Sequence, residues 1–95
     1  MLPRKIDVHQ LKTLQPYFHD VVSRNKTFEV RKNDRNFKVG DVMMLLEYDP
    51  ANKDNPGTKG LTGMCIIARI TYILDNEEYC KTGYVIIGFK IEERS

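Results

Sequence analysis

The chain has 95 residues, a length that accommodates one folded domain, which we predict to span residues 1–95. It is 41% hydrophobic and 29% charged, an ordinary composition for a globular protein, and its net charge of +2 is too small to indicate a nucleic-acid binder by itself. The charge is unevenly distributed: residues 24–38 carry six basic and two acidic side chains, a local net charge of +4, which leaves −2 for the rest.

Several classes of protein are disfavoured by absent patterns. The first twelve residues, MLPRKIDVHQLK, hold no apolar core of secretory length, and no segment reaches the roughly 18 apolar residues of a membrane span. Cys65 and Cys80 form no CxxC pair, His9 and His19 lack metal-ligand spacing, and no P-loop, GxGxxG, HExxH or EF-hand pattern occurs. We therefore expect a cytoplasmic protein with reduced thiols, no metal, no cofactor and no membrane contact; the sequence is silent on oligomeric state and protein partners.

The N-terminal third predicts a strand followed by a helix. Apolar and polar residues alternate over Ile6–Leu11, which is typical of a strand. We then predict a helix with an N-cap at Thr13 and an end near Arg24 and Asn25, where Asn25 takes the left-handed conformation. Its apolar face consists of Leu14, Phe18, Val21 and Val22.

Four further strands and one long loop complete the predicted fold. A short strand over residues 27–31 points Phe28 and Val30 one way and Glu29 and Arg31 the other. The apolar run at residues 42–46 predicts a central strand, and residues 49–60 predict one long loop. Residues 64–74 and 84–91 predict two long strands. The inward residues expected for them are Ile66, Ala68, Ile70, Tyr72, Val85, Ile87, Phe89 and Ile91, and the methionines Met43, Met44 and Met64 are expected in the core.

These elements define the expected fold class. One main helix near the N terminus and five or six strands, close together in sequence, predict a mostly β protein with a helix (α+β). Long strands in a chain this short favour a small curled sheet or barrel.

The block Lys26–Arg31, which follows the helix, resembles the GxKTxExR signature of ASCH domains. Together with His9, Leu11 and Lys12 (HxLK), the run from Lys26 to Asp41 is similar to an uncharacterised bacterial and phage branch with a KTFExRKNDRxFxVGD block. The resemblance covers nearly the whole chain. One departure is Arg24, where that signature has glycine, the residue that most easily ends a helix.

The resemblance implies a PUA-like barrel of five to six strands with a helix beside a cleft lined by the KTFEVRKNDR segment. Relatives of that fold bind RNA or act on nucleosides, so the implied function is an RNA- or nucleotide-binding module. The implied ligand-binding residues are His9, Lys12, Lys26, Glu29, Arg31, Lys32, Asn33, Arg35 and Tyr48.

Several of these residues also have a structural interpretation. Glu29 and Arg31 share one strand face and form either an ion pair or a carboxylate-held arginine fork for phosphate. Asn33 is a common turn-forming residue, whereas Lys32 and Arg35 suit phosphate contacts. His9 is either a hydrogen-bonded strand residue or a residue at the cleft mouth. Tyr48 is similarly either a rim aromatic or a stacking face for a base.

Two alternatives remain open at this stage. ASCH proteins that resemble amidohydrolases use the motif lysine and a threonine three residues later; here those positions hold Lys26 and Glu29, so that hydroxyl is missing and Thr27 is not at its spacing. A hydrolase acting on modified nucleosides or RNA would have Lys26 and Glu29 as catalytic candidates. A protein-binding role through strand edges and the loop 49–60 is the other alternative.

Overall fold

The computed structural model describes residues 5–94 and contains five strands and one α-helix. In chain order they are β1 (Val8–Leu14), α1 (Gln15–Val22), β2 (Phe28–Lys32), β3 (Val42–Tyr48), β4 (Leu61–Leu74) and β5 (Tyr84–Arg94), with a short 3-10 helix at Pro50–Asn52. The expectation of a mostly β protein with one helix is confirmed. Within residues 5–94 no helix is long and apolar enough to cross a membrane.

The strands form a single sheet in the order β1-β3-β4-β5-β2. β1 runs parallel to β3, whereas the β3–β4, β4–β5 and β5–β2 pairs are antiparallel. The sheet curls into a half-barrel, so its two edge strands, β1 and β2, approach each other without pairing. This open seam between β1 and β2 is where the cleft described below is found.

The core occupies the concave side of the sheet. Alternate residues of β3, β4 and β5 point inward, and α1 adds Phe18 and Val21 from its buried face. The largest fully buried apolar side chains are Met43, Leu45, Ile66, Ile70, Ile87, Val21 and Val85. The prediction that residues 42–46 form a central strand is confirmed, since β3 lies between β1 and β4.

The start and end of the helix differ from the sequence-based prediction. β1 continues to Leu14, so Thr13 is a buried strand residue and not the N-cap of α1. At the other end Arg24, with φ of 67°, adopts the left-handed conformation that we expected of Asn25. Its backbone N–H donates to the Val21 carbonyl at 3.0 Å, so the non-glycine residue is held there by the helix-exit hydrogen bond.

Three residues predicted to face the core lie outside it. Leu14 was predicted on the apolar face of the helix, but it is the last residue of β1 and is exposed. The register of β4 against β5 shifts between Ile70 and Tyr72, and this bulge turns Tyr72 outward, where it is exposed. Met64 is also exposed, because it precedes the part of β4 that pairs with β5. Met43 is buried as predicted, and Met44 is half-buried.

Candidate functional site

A cavity of about 530 Å³ lies in the seam between β1 and β2. We call it the main cleft. It is bounded by β1, the first turn of α1, and β2 with the residues just before it. The residues that line it are Lys12, Thr13, Leu14, Tyr17, Lys26, Phe28, Glu29, Val30 and Arg31.

β2 carries its charged face inward and its apolar face outward. Glu29 is only 3% exposed, whereas Phe28 and Val30 are 45% and 52% exposed. The alternation predicted for this strand is confirmed. However, the buried face is the charged one, and the apolar face is exposed. A buried carboxylate is costly unless it is neutralised, so the contacts of Glu29 decide whether this arrangement is stable.

Two cations neutralise Glu29. Arg31 Nη2 donates to Glu29 Oε1 at 2.7 Å, and Lys26 Nζ contacts Glu29 Oε2 directly. Both carboxylate oxygens therefore accept a charge-assisted hydrogen bond, the arrangement that makes a buried carboxylate tolerable. The predicted proximity of Glu29 and Arg31 is confirmed.

Arg31 also joins the two edge strands across the seam. Its Nη2 donates to Thr13 Oγ1 and its Nη1 to the Lys12 carbonyl, each at 3.1 Å. Because these contacts and the one to Glu29 engage both terminal nitrogens, Arg31 fixes the floor of the main cleft more than it offers a fork to a ligand.

Lys26 lies between the aromatic rings of Tyr17 and Phe28 and the carboxylate of Glu29. Its Nζ donates to the Phe28 carbonyl at 2.6 Å and lies 5.1 Å from the Phe28 ring centroid and 5.9 Å from that of Tyr17. Tyr17 is 53% exposed, so both rings present apolar surface beside a cation.

Lys12 forms the opposite rim, and its position depends on Tyr48. Lys12 Nζ lies 5.1 Å from the Tyr48 ring centroid. Tyr48 is outside the lining of the main cleft and packs against Gly60, where an added Cβ would lie 2.5 Å from Tyr48 Cε1. Gly60 thus permits the close approach that places Tyr48 under Lys12.

The second half of the KTFEVRKNDR segment lies beside the main cleft. Arg35 Nη1 donates to the Gln10 carbonyl at 3.0 Å, and Arg35 Nε is 3.9 Å from Asp34. Lys32 is exposed, while the Asn33 backbone N–H donates to the Gly83 carbonyl at 2.9 Å and continues the pairing of β2 with β5. The structure therefore brings Lys12, Lys26, Glu29 and Arg31 together and places Lys32 and Arg35 next to them.

His9 is separate from this group. It is buried near the start of β1, with its ring centroid 4.7 Å from that of Phe37 and its Nε2 3.0 Å from Asp41 Oδ2. Asp41 is fully buried and also accepts from the backbone N–H groups of Asp7 and Lys38. Burial acts to raise the pKa of the Asp41 carboxyl, but these hydrogen bonds and the Lys38 charge outweigh it and hold that pKa below its ordinary value of 3.8.

Sequence reasoning missed Thr13 and Tyr17 as cleft residues. Thr13 was predicted to be a helix N-cap, because the sequence does not show that β1 continues to Leu14. Tyr17 did carry a signal: it is an aromatic residue off the apolar face of α1, next to the buried Phe18. An aromatic on the polar face of a helix beside a charged motif could have marked it.

A second polar cluster lies near the far end of β3. The buried Glu47 has its Oε2 2.8 Å from His19 Nε2, and it accepts a hydrogen bond from Thr62 Oγ1. Within residues 5–94, no group of three or more His, Cys, Asp or Glu residues could hold a metal ion.

Comparison with known proteins adds a family to this geometry. Residues 8–89 match a family model described as a domain of unknown function, DUF3850. The chain is also similar to an uncharacterized 12.9 kDa protein in the GpA 3′ region of Escherichia phage P2, with 32% identity over 81 residues. That alignment covers 84% of this chain and 65% of the relative, so the chain spans less than two thirds of the phage protein's length.

Proposed function

The chain belongs to this family of unknown function, and we propose from the geometry of its main cleft that it binds RNA or a nucleotide there. The observation that carries the proposal is the pairing of exposed aromatic walls with a cationic rim around a neutralised carboxylate. A volume of about 530 Å³ lies within the roughly 300–1,000 Å³ typical of small-molecule sites.

The aromatic walls suit a nucleobase. Tyr17 and Phe28 are both about half exposed and flank the same ammonium group. Stacking of a base on an aromatic side chain contributes about 1–3 kcal/mol and tolerates any base, because every base has a π-face.

The charges suit a phosphate. The main cleft contains three cations, Lys12, Lys26 and Arg31, against one carboxylate, Glu29, which leaves it net positive. Lys12 is exposed at the rim, where a flexible ammonium can meet a phosphate with loose geometry.

The same features favour binding over catalysis. A general base needs a carboxylate oxygen that can accept a proton from substrate or water. Both oxygens of Glu29 already accept from cations, Arg31 and Lys26, which favours a structural role for this carboxylate at the cleft floor over the role of a general base.

We extend the proposal to the fold and location. A curled half-barrel, one helix beside the cleft, and a cleft wall formed by Lys26–Arg31 all support assignment to the PUA-like ASCH domains. On that assignment the ligand is an intracellular RNA or nucleotide, and the protein is cytoplasmic. Fold-level likeness alone does not identify a ligand, so the test addresses the cleft directly.

The test is fluorescence anisotropy of a labelled single-stranded RNA at 50 and 150 mM salt, with Tyr17→Leu and Tyr79→Leu compared against wild type. Tyr79 is a matched control, since it is an exposed tyrosine in the connection between β4 and β5, away from the main cleft. We expect salt-dependent binding that Tyr17→Leu weakens about tenfold, or about 1.4 kcal/mol, while Tyr79→Leu leaves it unchanged. Absence of binding by folded wild type at 50 mM salt, or equal effects of the two substitutions, would overturn the proposal.

A further inference from the structure

The main cleft continues along the seam into a second cavity. This side cavity has a volume of about 420 Å³ and shares Lys12 and Arg31 with the main cleft. Its other walls include Arg35, Leu46 and Leu61. A third, smaller space of about 140 Å³ shares Arg31 and Arg35 with the side cavity. Arg31 lines all three spaces, so they adjoin one another at the seam between β1 and β2.

Two arginines are anchored at regularly spaced carbonyls along the seam. Arg31 donates to the Lys12 carbonyl and Arg35 to the Gln10 carbonyl, and both carbonyls belong to the open edge of β1. Residues two apart on a strand present their carbonyls on the same side, about 7 Å from each other. The two guanidinium groups are thus anchored at a separation comparable to that of successive phosphates in an extended strand.

Arg35 has the larger hydrogen-bonding capacity for a ligand, since Arg31 already donates three hydrogen bonds at the floor of the main cleft. An arginine has five N–H donors, and Arg35 uses a single described hydrogen bond, with its side chain about half exposed. Arg35 is also only loosely paired with Asp34, at 3.9 Å.

The charge along the seam fits a polyanion. Five cations line the three spaces, namely Lys12, Lys26, Arg31, Lys32 and Arg35, against the two carboxylates Glu29 and Asp34. The difference is a local charge of +3. A single nucleotide in the main cleft leaves Lys32 and Arg35 unused, whereas a longer strand meets them.

We propose that the ligand is a single-stranded nucleic acid of at least two nucleotides that runs along the seam. One base stacks on Tyr17 and Phe28, and its neighbour enters the side cavity against Leu46 and Leu61. The phosphate between them contacts Lys12 and Arg31, and the next phosphate along the strand contacts Arg35. This inference rests on the function proposed above and specifies the ligand as a strand rather than a free nucleotide.

The strand is single because the subsites require base faces. In a duplex each base face is covered by its stacked neighbours, and exposing one costs a few kcal/mol. The walls of the main cleft offer apolar and aromatic surface, which only an unstacked base can meet.

The experiment is a length series measured by competition against a labelled uridine octamer. The competitors are UMP, the dinucleotide pUpU, a uridine tetramer, a 12-base-pair RNA duplex and a glutamate decamer. We expect pUpU to bind at least about tenfold more tightly than UMP, with a steeper salt dependence of about 0.7 for each added phosphate contact. The duplex and the peptide should compete at least about tenfold more weakly than the tetramer.

A variant at the far end of the seam separates the two subsites. Arg35→Gln should weaken the tetramer about fivefold and leave UMP unchanged, because Arg35 lies outside the main cleft. Arg35→Lys, which keeps the charge, should restore part of the affinity. Lys53→Gln, in the exposed loop between β3 and β4, is the matched control and should change neither.

The outcomes separate this inference from the proposed function. UMP binding as tightly as the tetramer, with Arg35→Gln inert, would overturn the extended site and leave nucleotide binding in place. A duplex that competes as well as the tetramer would overturn single-strandedness, and an equally effective glutamate decamer would overturn nucleic-acid recognition altogether. No binding of any RNA by the folded protein would overturn both.

Discussion

Two buried polar networks lie at opposite ends of β1 and have different surroundings. The sealed network joins His9 and Asp41 beside Phe37, and each of these three residues is less than 10% exposed. The cleft network joins Glu29 to Arg31 and Lys26 under a space of about 530 Å³. His9 and Thr13, which represent the two networks on β1, are four residues apart, or about 13 Å.

The difference shows that residue type alone does not identify a site. Histidine and aspartate are the more usual catalytic pair, yet here they occupy an enclosed position and tie β1 to the segment before β3. Lysine, arginine and glutamate are ordinary surface residues, yet here they border open space with exposed aromatic walls. Access to that space, more than chemical type, makes the cleft network the candidate site.

The largest expected effect is a loss of stability when the sealed network is disrupted. Asp41→Asn should lower the free energy of unfolding by about 3 kcal/mol, because a fully buried carboxylate that accepts three hydrogen bonds is replaced by an amide that cannot accept them all. Urea unfolding would measure this, with Asp54→Asn in the exposed loop as the control. A loss below 1 kcal/mol would show that the sealed network is not the structural one.

A smaller effect is expected where the cleft rim is supported. Gly60→Ala should destabilise the protein by about 2 kcal/mol more than Gly63→Ala. The two glycines have similar φ values, 90° and 94°, but an added Cβ meets the Tyr48 ring and the Asp49 carbonyl at Gly60 and meets nothing within 4 Å at Gly63. The difference in free energy of unfolding therefore measures the close packing around Gly60 that supports the cleft rim, and equal losses would contradict that packing role.

The cleft network should tolerate the matched substitution better. Glu29→Gln should cost about 1 kcal/mol, since Lys26 and Arg31 retain some exposure and can turn towards water when one contact is lost. The same urea titration applies. A loss as large as that of Asp41→Asn would mean that the cleft network stabilises the fold as much as the sealed network does.

Acid should reduce the difference between wild type and Asp41→Asn. The pKa of Asp41 in the folded protein lies below its ordinary value of 3.8, so its contribution to stability is present above about pH 3.8 and is lost as the pH falls through the folded pKa. Urea unfolding of both proteins from pH 6 to pH 2.5 would show the two free energies converging at the acid end. A constant difference across that range would contradict the assignment.

The strand and core pattern followed closely from sequence. Alternation in residues 84–91 predicted the inward residues Val85, Ile87 and Phe89, and the apolar run at 42–46 predicted the central strand. The Lys26–Arg31 block also marked the segment that lines the main cleft. The strand pattern depends on local periodicity, which sequence displays directly, whereas the position of the block at a cleft was implied by its resemblance to the ASCH signature.

The predictions that were wrong have a common physical cause. Thr13, Tyr72 and Arg24 were misassigned because a strand's length, a bulge and a helix exit depend on hydrogen bonds to distant or neighbouring backbone that no local pattern reveals. His9 was placed among the ligand-binding residues, and its partner Asp41 is 32 positions away.

The sequence by itself therefore determined a mostly β domain, its central strands and a basic segment beside the helix. Only the tertiary structure decided which face of that segment is buried. Closure of the sheet into a half-barrel sets β1 against β2, so Thr13 and the Lys12 carbonyl become partners of Arg31 across the seam. Arg31, held by those partners, neutralises Glu29 together with Lys26. Because these charges are satisfied on the inner face, Phe28 and Val30 remain on the outer face as the apolar wall of the cleft.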